Sequence, residues 1–164
     1  MKEFGTWAAF AAGLYVLQTS LLPRLSYHGV TTDLLLLMAV SFAFLRGLHQ
    51  GALMGFLLGL MYDLSTGTFF GVHTLSLTLI AIFFGRFSDR VFKEQFFLPV
   101  MASVLATAFN YFILALLMLL LGYRFNLMTH IHDVLLPMFV YQLALAYPVH
   151  KLCYKLDKRF SEKK

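Results

Sequence analysis

Charge is scarce in this chain. Of its 164 residues, 13% are charged and 60% are hydrophobic, and the mean hydropathy is +0.76. Soluble domains carry about 25% charge and 45–50% apolar residues, so a soluble globular fold is excluded. Cysteine is nearly absent. Cys153 stands alone, which excludes an intramolecular disulfide. Phosphate-binding loops, dinucleotide fingerprints and nucleophile–base sets are missing, so neither an enzyme nor a cofactor is expected, and nothing points to nucleic acid. The middles of the apolar runs also lack ionisable groups. A proton or ion path would need them there, so transport by this chain alone is disfavoured.

What is present is apolar sequence in long runs. This length accommodates roughly six spans of about 20 residues. The expected fold is all-α, a single polytopic membrane domain over residues 1–150. Its spans fall at about 4–22, 33–46, 51–63, 70–86, 97–121 and 133–152. The apolar run after Met1-Lys2-Glu3 is longer than a signal-peptide core and reads as an uncleaved first span. The tail 151–164 has Leu152, Leu156 and Phe160 on one face and Lys151, Lys155, Lys158 and Arg159 elsewhere. That pattern suits a basic amphipathic helix on anionic lipid. Segment 86–96 mixes charge with phenylalanine and suits the membrane interface. All Lys and Arg residues except Arg24 and Arg124 fall on the side of the termini. The positive-inside rule then places both termini in the cytoplasm of the cell and makes the protein a multi-pass component of the inner membrane.

The most ordered stretch runs from Gly47 to Gly71. Gly47, Gly51, Gly55 and Gly59 recur at every fourth position, Asp63 takes the next place, and Gly67 and Gly71 follow. Residues four apart share a helix face, so this helix carries a bare groove that ends in a carboxylate. In lipid such a groove admits another backbone. The first span has a similar line, Gly5, Ala9 and Gly13. It is the favoured occupant from within the chain; a partner helix or a second copy of this chain are the other candidates.

Asp33, Asp63, His73 and Asp133 form an expected polar cluster at the outer ends of the spans. Asp33 and Asp133 open helices, where a carboxylate caps free N–H groups. Asp63 closes a helix, where the dipole opposes an anion, so it needs a specific partner. His73, Arg124, the opening turn of the fourth span and another chain are the candidates. Asn110 and Gln142 sit at mid-depth and are expected to hydrogen-bond each other. His130 and His132, with His73 and Asp63, do not complete a metal-ligand set.

Four ordered segments carry a resemblance. They are Asp33-Leu-Leu-Leu-Leu37, Arg46-Gly47, Gly51-Ala-Leu-Met-Gly55-Phe-Leu-Leu-Gly59-Leu-Met-Tyr-Asp63 and Gly71-Val-His-Thr-Leu-Ser-Leu-Thr-Leu79. Together they resemble the MreD family of bacterial rod shape-determining proteins. Thr32 stands where that family usually has a proline before the first aspartate. The resemblance implies a non-enzymatic component of the elongasome that binds MreC and helps regulate peptidoglycan synthesis. It implies association with MreB, RodA and its class B transpeptidase. It also implies a fold similar to the substrate-binding subunits of energy-coupling-factor transporters. A solute-binding subunit of such a transporter is the alternative function.

Overall fold

Every residue from Leu34 to Leu45 is buried. A helix that is hydrophobic on all sides belongs inside a protein, and this one is the axis of the molecule. The structure, a computed structural model, describes residues 2–25, 32–67, 70–88, 97–120, 122 and 136–161. Among these the chain is all-α. Its elements are α1 (Lys2–Ser20), the single turn α2 (Leu22–Leu25), α3 (Leu34–Arg46), α4 (Leu48–Thr66), α5 (Val72–Gly85), α6 (Phe97–Leu120) and α7 (Leu136–Ser161). The axial helix α3 packs against α1, α4, α5, α6 and α7.

Caps define the axial helix. Asp33 accepts from the Leu36 N–H at 3.1 Å, and the Gln18 side-chain oxygen of α1 accepts from the Leu34 N–H at 2.9 Å. These bonds satisfy donors that a helix start leaves free. At the other end Gly47, with φ at 83°, ends α3 and leads directly into α4. Only glycine takes that backbone without strain, and it makes α3 and α4 a tight hairpin. We call the end where α3, α5 and α7 begin the upper end.

The distribution of polarity is inverted relative to a soluble protein. Gln18, Asp33, Asp63, Ser76, Asn110 and Gln142 are buried, whereas Leu53, Leu64, Leu79, Leu105, Phe112 and Leu119 are exposed. Large exposed apolar faces mark contact with another apolar phase. By length and composition one helix of the described residues, through Val100–Leu117 in α6, can cross a membrane. The apolar helices α3 and α5 have 13 and 14 residues, about 20 Å each. Aromatic pairs knit the bundle: Trp7 meets Phe42 edge-on at 4.8 Å between centroids, and Phe83 stacks on Phe109 at 5.6 Å.

The lower end differs from the expected separate tail. α7 is unbroken from Leu136 through Pro148 to Ser161. Cys153 is fully buried, Leu156 packs against the core, and Asp157 pairs with Arg46 at the end of α3. The tail is held by the bundle because one of its faces carries side chains that α3 can bury. Lys151, Lys155, Lys158 and Arg159 stay exposed, with the Lys151 ammonium 5.7 Å from the centre of the Tyr147 ring. Residues 89–96 lie outside the described residues.

Candidate functional site

Two features stand out: a seam that runs along α4 and α5, and a polar cavity above the start of α3 at the upper end.

The seam is built from glycines. A Cβ at Gly51 would lie 2.8 Å from the Ala43 Cα, one at Gly55 2.7 Å from the Ala81 Cβ and the Leu77 carbonyl oxygen, and one at Gly59 2.7 Å from the His73 carbonyl oxygen. No real side chain tolerates such approaches, so the three glycines are what lets α5 and α3 close on α4. The occupant of the groove is thus α5, aided by α3, and not α1. Gly5 and Gly13 have nothing within 4 Å of a built Cβ, and Gly5, Ala9 and Gly13 are exposed. The reason is connectivity: α5 follows α4 across a short turn, and consecutive elements usually pack together.

Asp63 locks the upper end of the seam. It is 1% exposed. Its Oδ2 accepts from the Gly71 and Thr74 N–H groups at 2.9 Å each and from the Thr74 hydroxyl at 2.5 Å. Its Oδ1 accepts from the His73 N–H at 3.0 Å. The carboxylate at the end of one helix caps the start of the next, where the dipole favours it. Of the candidate partners, the opening turn of the fourth span supplies these bonds.

The cavity has a volume of about 190 Å³. Asp33, Thr32 and Gln18 form its floor, Tyr62 and His73 one wall, and Asn110, Tyr111, Leu114 and Met138 the other. The Tyr62 and His73 rings lie 4.2 Å apart. The cavity exists because α3 is short. With 24 residues α6 spans about 36 Å and α7 is longer still, so the start of α3 is recessed between them. Asp33 and His73 come together here, while Asp63 faces the seam. Asp133, Arg124, His130 and His132 lie outside the described residues.

The mid-depth amides take separate partners. The Asn110 Oδ1 accepts from the Ser76 hydroxyl at 2.5 Å, and the Gln142 Nε2 donates to the Asp33 carbonyl at 3.3 Å. The expected Asn110–Gln142 bond is replaced because α5 and the start of α3 reach these amides. Gln18, Tyr62, Ser76 and Tyr111 were not singled out by sequence, and Thr32 only as a departure from a proline. Gln18 offered a signal, as an amide in an otherwise apolar run; the tyrosines offered none.

The family model described as rod shape-determining protein MreD matches residues 2–156 of the chain. No curated protein and no solved structure matches it.

Proposed function

We propose, on the premise that this chain belongs to the family of the rod shape-determining protein MreD, that it is a non-enzymatic scaffold of the cell-shape machinery in the bacterial inner membrane. It crosses the membrane six times with both termini in the cytoplasm, in a fold similar to the substrate-binding subunits of energy-coupling-factor transporters. It holds MreC and through it MreB, RodA and the class B transpeptidase, and so tunes peptidoglycan synthesis. The basic face of α7, Lys151, Lys155, Lys158 and Arg159, lies against anionic lipid.

One observation carries the scaffold reading. The glycines of α4 are consumed by α5, while the line Gly5, Ala9, Gly13 on α1 is exposed and open. Close approach of a second membrane helix needs small residues on the surface, and α1 supplies them. The test is co-purification with MreC in mild detergent. Gly13→Leu should abolish it while leaving the folded yield unchanged. Retained MreC with Gly13→Leu and Ala9→Leu together would sink the assignment to α1. The polar cavity favours a second reading, a solute-binding subunit of an energy-coupling-factor-type transporter. Co-purification with an ATPase module instead of MreC would select it.

A further inference from the structure

The recess above α3 holds polar groups that the fold does not use. The Thr32 hydroxyl is buried, with the residue 1% exposed, and has no hydrogen-bond partner. Asp33 caps α3 through Oδ1, and its carboxylate also lines the cavity. Asn110 uses its oxygen on Ser76, which leaves its NH₂ for the cavity. Unused buried polar groups are costly and rare in folded proteins, so their convergence calls for an occupant.

The wall states the chemistry of that occupant. Among the lining residues there is one carboxylate and no Lys or Arg, which opposes an anion and suits a cation. The rings of Tyr62, His73 and Tyr111 add aromatic surface, which attracts ammonium groups. Leu114 and Met138 offer hydrogen bonds to nothing and suit a hydrocarbon. At about 190 Å³ the cavity is larger than one that takes benzene, about 150 Å³, and far too large for a bare metal ion.

We infer that this cavity is a binding site for a protonated primary amine on a short aliphatic stem, with its ammonium on Asp33 and Thr32 and its stem against Leu114 and Met138. The amine belongs either to a phosphatidylethanolamine headgroup or to a free small solute. The inference is independent of MreC binding, since the cavity and the exposed line of α1 share no residue.

The experiment is thermal unfolding of the full chain. In detergent it is titrated with ethanolamine, and with ethylene glycol as the uncharged match. In nanodiscs, phosphatidylethanolamine is compared with phosphatidylcholine, whose quaternary ammonium has no N–H to donate. A free amine gives a saturable rise in Tm with ethanolamine and none with ethylene glycol. A lipid source gives a higher Tm in phosphatidylethanolamine than in phosphatidylcholine. In either case Asp33→Asn, which can still cap α3, removes the rise. Thr32→Val keeps the shape and weakens the response about tenfold. No response to any probe overturns the inference, as does a wild-type response in Asp33→Asn. Should Asp33→Asn not fold, an undiminished response in Thr32→Val overturns it.

Discussion

Asp63 accepts three backbone N–H groups and one hydroxyl from the first turn of α5. An asparagine has one oxygen where the aspartate has two. In Asp63→Asn the amide NH₂ must therefore face at least one N–H donor. Bonds to a charged acceptor are worth about 1.5–3 kcal/mol each, so the expected loss of stability is of that order. Asp63→Ala strips every partner and should cost more. Size-exclusion thermal stability read by fluorescence would check the ranking wild type, Asn, Ala. Unchanged stability with a lost complex would instead make Asp63 a partner contact. The need for a partner was legible in the sequence, because an acid at a helix C-terminus opposes the dipole. The partner was not legible, since it depends on where the opening turn of α5 comes to lie against the end of α4. Gln142 and Asn110 teach the same limit. Sequence gives depth along a helix, but a hydrogen bond also needs the direction around it, and that is set by neighbouring helices.

At the scale of elements, the α4–α5 seam should respond to a single methyl. Gly55→Ala puts a Cβ 2.7 Å from the Ala81 Cβ and the Leu77 oxygen, so the helices must part by about 1 Å. Such overpacking costs typically 1–3 kcal/mol. Adding Ala81→Gly removes one of the two clashes, and the double variant should recover part of the lost Tm. Additive losses would show that the two positions do not touch. Gly13→Ala is the control: nothing lies within 4 Å of its Cβ. Alanine favours helix over glycine by up to about 1 kcal/mol, so stability should hold or rise. The four-residue glycine repeat made the groove legible from sequence. Its occupant was misassigned to α1 because two small-residue lines match each other on paper. Chain connectivity, the short step from Thr66 to Val72, was the better guide.

For the whole molecule, the unequal helix lengths and the inverted polarity have one cause. A hydrocarbon core is about 30 Å thick. Helices α6 and α7, with 24 and 26 residues, reach about 36 and 39 Å and can define the height of the bundle. Helices α3 and α5 fall short of it. Helix α3 is buried from Leu34 to Leu45, so its ends meet protein, not lipid, and polar side chains can serve them there. The all-α class was legible in the sequence; the central place of the 33–46 run was not, because an all-hydrophobic segment has no face that reveals its neighbours. If the bundle stands in the membrane as proposed, its upper end faces out. In a Cys153→Ala background, Ser20→Cys and Thr66→Cys, both exposed at the upper end, should label with an impermeant thiol reagent in intact spheroplasts. The exposed lower positions, His49→Cys and Arg86→Cys, should label only after the membrane is opened. The reverse pattern would turn the molecule over. It would place the amine cavity on the cytoplasmic side and the Arg46–Asp157 pair outside, leaving nearly all the lysines and arginines on the side that the positive-inside rule forbids.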